Sequence, residues 1–310
     1  MKKPRQFNNL DADEGIFFDK ELEHLKIQAY DVLYPELMAR RLFPVDSSAD
    51  PGAATITYQT WDHVGMARLI HQYGQDLPNI EVTAKETTRK IYSEGVAFGY
   101  SLQDIRNARF ANKPLEQRKA SAARRQMLQL ENALAFHGDA RTDIPGFIGA
   151  ANINQVTIPA DGTGSSKLWS TKTPDQIIRD FGLMSTTIRD VSNGVEHGTT
   201  VLLPELQYGQ ISTTPRSANS DTTILDFVLK TNPWIREIIP TYELKGAGAG
   251  GVDTFMLYNR SPDKLTLEIP QDVEFLPVQE KGFMFEVPVH ARTAGVIIYY
   301  PKSIAQGDGI

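Results

Sequence analysis

Asp62, His63, His71 and Asp76 bring two imidazoles and two carboxylates into one short stretch, the residue types of a cation site or an acid–base pair. The spacing does not support that chemistry. No two histidines sit at ligand spacing on one helix, and HExxH is absent. Gly65, Gly74 and Pro78 make the stretch turn-forming, so the four side chains read as polar residues of a loop tip. A metal site there, or an uncharacterised enzyme using Asp62, His63 and His71, is the alternative of another class. His137 precedes Gly138 and is expected at a helix end, against the terminal carbonyls. Two glycine-rich segments have the residue types of phosphate loops. Gly162–Lys167 lacks the GxxxxGK[ST] order, and Gly246–Gly251 has no following lysine and leads into a strand. No GxSxG and no Ser/His/Asp triad stands out. We assign no catalytic, cofactor-binding or metal-ligating residue, no cofactor and no enzymatic activity.

Arg118, Lys119, Arg124 and Arg125 form the one locally basic stretch on a helix. It reads as a solvated or ion-paired face, or as a face turned toward a polyanion or toward acidic patches of neighbouring subunits. The whole chain argues against a dedicated nucleic-acid surface, because 38 acidic residues outnumber 32 Lys and Arg for a net charge of −6. With no cysteine, disulfides and thiolate metal sites are excluded. Lys2, Lys3 and Arg5 are not followed by an apolar run, so no secretory signal is read. No apolar run reaches the ~18 residues of a membrane span, and no membrane partner is expected.

Behind these residues stand the elements that must position them. A polar N-terminal arm leads to helical spacing at Phe18, Leu22, Leu25 and Ala29, and Pro35 suits the start of a short helix to about Phe43. Asp46–Gly52 is turn chemistry. From it an alternating run (Ile56 and Tyr58 against Thr55, Thr57 and Gln59) enters a ribbon that returns through Asn79–Ser93. Trp61–Pro78 is expected as the tip, with one helical turn near Met66–Ile70. The ribbon has too few apolar residues for a core, and an isolated hairpin is marginal in water, so it should lie on something. Another copy of the chain is the expected support.

Ser101 and Asp104 form a capping-box pattern for a helix over Leu102–Phe110. Pro114 then opens a helix over Leu115–His137, roughly 35 Å long at 1.5 Å per residue, with Met127, Leu130, Leu134 and His137 expected along its apolar face and Leu115 and Ala122–Ala123 extending it upstream. Thr173-Pro174-Asp175-Gln176 caps a second amphipathic helix through Ile177, Phe181, Met184, Ile188 and Val191. A buried strand is expected over Thr200–Leu203, a helix over Thr222–Lys230, and strands over Ile235–Ile239 and Phe255–Tyr258. From Leu265 to Tyr300 only strands are read, with Pro262, Pro270, Pro277 and Pro288 marking edges or bends. The class is α+β, with segregated helices and mainly antiparallel strands.

This order of parts resembles the major capsid protein of tailed phages, the Hong Kong 97 fold. The segments that carry the resemblance are Ile56-Thr57-Tyr58, Asp62-His63-Val64-Gly65-Met66-Ala67, Phe98-Gly99-Tyr100-Ser101, Pro114–Ala120, Phe136-His137-Gly138-Asp139, Ile144-Pro145-Gly146-Phe147 and, more weakly, Phe227–Pro233. The resemblance implies an N-terminal arm with short helices (1–50), an extended loop and return strand (51–100), a peripheral domain with a spine helix (101–153), an axial domain (154–251) and C-terminal peripheral strands (252–310). It also implies self-assembly through pentamers and hexamers into an icosahedral head, the virion capsid, built in the bacterial host cytoplasm around double-stranded DNA held by non-specific contact. Portal and separate scaffolding or decoration proteins would be partners, with no scaffold fused upstream of the short arm. Gly246–Gly251 would adapt to five-fold or six-fold neighbours. An encapsulin-type nanocompartment is the nearest alternative. Some relatives crosslink through a Lys–Asn isopeptide; Lys85 and Lys90 lie on the ribbon, but no partner asparagine is identified and no crosslink is expected.

Overall fold

The computed structural model describes residues 35–65, 79–111, 115–217, 219 and 221–310. The helix expected around Phe18–Ala29 and the helical turn expected near Met66–Ile70 lie outside them. The chain divides into two units, Met1–Glu36 and Leu37–Ile310.

The second unit starts with one helical turn, Ala39–Leu42 (α1), rather than a helix from Pro35. The reason is a cap supplied from a distance: Asn132 Oδ1 accepts the backbone N–H groups of Met38 and Ala39 at 3.1 and 3.0 Å, fixing where the turn begins. A short strand, Val45–Asp46 (β1), precedes the ribbon of Thr55–Val64 (β2) and Glu81–Lys90 (β3). The first ribbon strand thus runs past Trp61 into what was expected as the tip. After Ile91 the chain continues extended as Tyr92–Ser101 (β4). Ser101 then caps Leu102–Phe110 (α2) with both bonds of a capping box: its Oγ accepts from the Asp104 N–H and its own N–H is accepted by Asp104 Oδ2.

The spine helix, Leu115–His137 (α3), has the expected bounds. Gly138 ends it at φ +68°, where a Cβ would lie 2.3 Å from the Ile144 carbonyl oxygen. Gly138–Asp139 (β5) pairs with Ile144–Pro145 (β6) at that point. The buried face keeps Ala123 and Met127 of the expected stripe but departs from the rest of it. Leu130 and His137 are exposed, and the inward residues are Ala123, Met127, Glu131, Asn132, Ala135 and Phe136. Two polar side chains belong to this face because both are fully engaged with other elements, as described below.

The remaining elements are Asn154–Val156 (β7), Pro174–Val191 (α4), Thr200–Leu203 (β8), Glu205–Thr213 (α5), Ile224–Thr231 (α6), Glu237–Pro240 (β9), Thr254–Tyr258 (β10), Leu265–Glu268 (β11), Gln271–Phe275 (β12), Gln279–Lys281 (β13), Met284–Thr293 (β14), Gly295–Ile298 (β15) and Ile304–Asp308 (β16). Three sheets organise them. One has the order β7-β16-β10-β8-β9, the second β1-β11-β15, and in the third β14 lies between β4 on one edge and β12 and β13 on the other.

The first sheet is buried on both faces. Val201, Leu203, Phe255 and Leu257 pack beneath Ile177, Phe181, Met184 and Ile188 of α4. Leu202, Met256, Tyr258 and Ile304 face Phe43, Phe136 and Phe147 on the other side. Val191, expected on the inward stripe of α4, is exposed at the helix end. Strands β10 and β16 come from the segment read as peripheral, so the sheet crosses the expected boundary at residue 251. Pro288 also departs from an edge role, since β14 is central. It is tolerated because its own carbonyl accepts the Leu276 N–H at 2.9 Å, which turns its missing N–H toward the break between β12 and β13.

Candidate assembly surface

Ten unbroken cross-strand pairs, from Thr55↔Lys90 to Val64↔Glu81, make the ribbon regular. Directly opposed residues share a face. One face carries Thr57, Gln59, Trp61 and His63 with Thr88, Glu86, Ala84 and Val82. On it the Thr57 and Thr88 hydroxyls lie 3.0 Å apart, and Gln59 donates to Glu86 at 2.7 Å. The other face carries Ile56 and Tyr58, which are half-buried and root the ribbon. Tyr58 meets Tyr299 edge-on with ring centroids 5.0 Å apart. Ile91 donates its N–H to the Ala54 carbonyl at 2.9 Å, and the Arg292 guanidinium donates to the Pro51 carbonyl.

Tyr299 is itself held. Its hydroxyl lies 2.8 Å from the Thr266 hydroxyl and donates to Glu268 Oε1 at 3.2 Å, and burial pushes its pKa up to about 12. Two open clefts of about 550 and 630 Å³ flank this anchor, both lined by Tyr58, Thr60 and Tyr299. Beyond it, every described ribbon residue from Gln59 to Gly65 and from Asn79 to Glu86 is exposed, including Trp61, Val64, Ile80 and Val82. Exposed apolar groups on a strand pair with both edges open mark an association surface.

The sequence candidates for chemistry do not converge. Asp62 and His63 are exposed neighbours on β2 and point to opposite faces; His71 and Asp76 lie outside the described residues. No group of three or more His, Asp or Glu side chains among the described residues is arranged to hold a metal ion. His137 contacts Glu243 at 3.3 Å rather than helix-terminal carbonyls. His197 stacks on Trp234, with centroids 5.0 Å apart.

The loop at Gly162–Lys167 closes on itself through Gly162 N–H to the Ser166 carbonyl, leaving no open nest. Gly246–Gly251 is tied by Gly246 N–H to Asp253 and Ala249 N–H to Asp308, and Gly248 and Gly251 donate to backbone carbonyls, so these donors are already taken. On the spine helix, Lys119 donates to the Gly99 carbonyl at 2.6 Å, whereas Arg118 and Arg124 are exposed. Lys85 and Lys90 are exposed on β3. Among the described residues no helix is long and apolar enough to cross a membrane.

What sequence reasoning missed is a charged joint between α1, the spine helix, β4 and β12. Arg40 of α1 holds Glu131 of the spine helix through two 2.7 Å bonds and reaches Asp272 of β12 at 2.7 Å. These bonds raise the Arg40 pKa and hold the Asp272 carboxyl below its ordinary range. Glu94 of β4 is buried beside them, and burial first, then the Glu131 charge, lifts its pKa to about 7. Asn132, next to Glu131, caps α1 and donates to Glu243 at 2.7 Å. The signal available was weak: a polar pair interrupting an otherwise apolar helix stripe.

Sheets wrapped on a spine helix with a projecting ribbon define the architecture, and comparison with known proteins places it among viral shell subunits. The family model described as "Major capsid protein" matches residues 65–310, so the chain belongs to the major capsid protein family, a phage structural protein and virion capsid component. Its fold is the Hong Kong 97 phage capsid fold. It superposes on the capsid of Myoviridae phage XM1 with a TM-score of 0.82 at 17% identity, covering 96% of this chain and 100% of that one. The capsid of an empty GTA particle matches with a TM-score of 0.67 at 10% identity, covering 97% and 99%. A virus-like particle from Pyrococcus furiosus matches at 0.55 and 12%, covering 86% and 91%. No curated protein sequence matches the chain.

Proposed function

We propose that this capsid protein self-assembles through pentamers and hexamers into an icosahedral head enclosing the double-stranded DNA of a tailed phage or prophage. The observation that carries the reading is the ribbon: past Tyr58 both its faces are open, so it needs a neighbour to cover Trp61, Val64, Ile80 and Val82. The ribbon is the extended loop, α3 the spine, and the peripheral domain combines α3 with the β4-β14 sheet. The axial domain is redrawn as residues 154–258 joined by Ile304–Ile310, because β10 and β16 complete its sheet. The N-terminal arm reaches another subunit. Its role is structural, not catalytic. Exposed Arg118 and Arg124 suit non-specific contact with packaged DNA. Portal and separate scaffolding or decoration proteins complete the head, which forms in the host cytoplasm.

The second reading, an encapsulin-type nanocompartment, draws on the likeness to the archaeal virus-like particle, a weaker match than to the phage capsid. Size-exclusion chromatography with negative-stain microscopy of the expressed protein tests both. Hollow particles or capsomer rings are expected, and their diameter separates a phage head from a small compartment. A clean monomer across salt and protein concentrations would refute assembly.

A further inference from the structure

Helix α4 carries a glycine that packing within the subunit does not require. Gly182 lies in the interior of Pro174–Val191, where glycine is less favourable than alanine. A Cβ there would meet nothing within 4 Å, and the backbone is not left-handed at this position. The space above it is a groove of about 210 Å³ between α4 and α6. Its walls are apolar: Phe181 on α4, Phe227 and Val228 on α6, and Trp234 just beyond α6.

Arg189 is the one charged residue in the lining. It stands two turns beyond Gly182 on α4, roughly 10 Å along the helix axis at 1.5 Å per residue. Its guanidinium carbon lies 4.5 Å from the centre of the Trp234 ring, and its Nε is buried without a hydrogen-bond partner. Buried donors are normally paired, and stacking on an indole supplies no acceptor. His197 stacks on the same indole at 5.0 Å, so the ring is fixed before anything binds. A second guanidinium, that of Arg216, lies 3.8 Å from the centre of the Phe227 ring. The groove thus joins an apolar body to a cationic end whose donor is unmet.

Volume sets the size of the occupant. Pockets for drug-sized ligands span about 300–1,000 Å³, so this one suits a single ring or branched chain with a short acidic tail. The geometry points to a binding site for a compact aryl or alkyl carboxylate. Its apolar group lies over Gly182 between Phe181 and Trp234, and its carboxylate accepts from Arg189 in a charge-assisted bond. A free organic acid presents this chemistry, and so does the C-terminal residue of a peptide that ends in an apolar side chain.

Ligand-observed saturation-transfer NMR on the full-length protein tests the site with 3-phenylpropionate for the free acid and N-acetyl-phenylalanine for the peptide end. The neutral amide of each is the control. Each acid should bind at least fivefold more tightly than its amide, and Arg189→Met should erase that preference. Gly182→Leu fills the groove from its floor and should weaken both acids at least tenfold without lowering the thermal midpoint. Should that variant fail to fold, Gly182→Ala, which no contact opposes, should weaken binding while raising the midpoint. Tighter binding of N-acetyl-phenylalanine would support the site with a peptide terminus as its ligand, and tighter binding of 3-phenylpropionate would support it with a free acid. No binding of either acid, equal binding of acid and amide, or undiminished binding in the Gly182 variants would overturn the site. None of these readouts depends on particle formation, so the shell reading stands or falls separately.

Discussion

Tyr58 meets Tyr299 at right angles, 5.0 Å between ring centroids, at the place where the ribbon leaves the body of the subunit. The arrangement is the edge-to-face geometry favoured by aromatic quadrupoles, worth about 0.5–1.5 kcal/mol beyond area burial. It sets the angle of an arm that has no core of its own.

Tyr58→Ala should therefore loosen the ribbon more than the subunit. Global stability should fall by about 1–2 kcal/mol, since Tyr58 is only half-buried. Hydrogen exchange over Thr55–Val64 and Glu81–Lys90 should rise well beyond that of the rest of the chain, with particle yield falling in parallel. Unchanged exchange in the ribbon would show that Tyr299 is not its anchor.

Asn132 couples the spine helix to the first described turn. Asn132→Ala removes the acceptor of two buried N–H groups and the donor to Glu243. Leaving those donors unpaired costs about 1–3 kcal/mol, a loss of several degrees in thermal midpoint that calorimetry would detect. Asn132→Asp keeps the acceptor but sets a second carboxylate beside Glu243 and should recover only part of it.

The legible and illegible parts of the sequence divide along physical lines. Helices α2 and α3 and the start of α4 were readable because their signals are local: Ser101 with Asp104, Gly138, and Pro174 ahead of Gln176, whose Oε1 accepts the Thr173 N–H at 2.7 Å. Strand β16 gave no signal. Its Ile304-Ala305-Gln306-Gly307 run does not alternate, and Gly307 is dictated by a distant contact, a Cβ there lying 2.7 Å from the Phe255 ring. Helix α5 buries only Gln207 and Ile211 while Leu206 is exposed, so no stripe announces it. The inward face of the spine was misread for a related reason. Following apolar residues alone led through Leu130 and past Glu131 and Asn132, whose burial depends on partners more than 90 residues away. The ribbon's need for support was visible in its composition; the charged joint of Arg40, Glu131 and Asp272 was not.

Glu94 should make that joint pH-dependent. Its folded-state pKa of about 7 lies above the ordinary value of 4.5, chiefly because burial disfavours the carboxylate. Between those values the folded protein retains a proton that the unfolded chain has released, so stability falls as pH rises through about 4.5 to 7. At ~1.4 kcal/mol per pH unit the full effect is about 3 kcal/mol. Glu94→Gln should flatten this part of the profile and leave the mutant more stable than the parent at pH 8. Urea midpoints measured from pH 4.5 to 8 would check it, and parallel profiles for the two proteins would exclude Glu94 as the source.

Lys172 and Asp180 test a different kind of burial. Both side chains are fully excluded from solvent, with Nζ 2.6 Å from Oδ2, and Trp169 Nε1 donates to the same oxygen at 3.1 Å. Burial still pushes the Asp180 pKa up, against the opposing pull of Lys172, so desolvation outweighs the attraction at this site. Lys172 Nζ also lies 3.3 Å from Asp161 Oδ1, so it is the loss of Lys172 that strands Asp180 as a buried charge, at about 3–5 kcal/mol. Lys172→Met should thus be among the most destabilising single changes in the chain. Replacing the pair together, as K172M/D180L, removes both desolvation costs and should recover most of that loss, although Trp169 then forfeits its acceptor. Equilibrium denaturation of the parent, both single variants and the double variant closes the cycle. A double variant less stable than K172M alone would mean that the pair is a net source of stability rather than a specifier of how Trp169 and α4 meet.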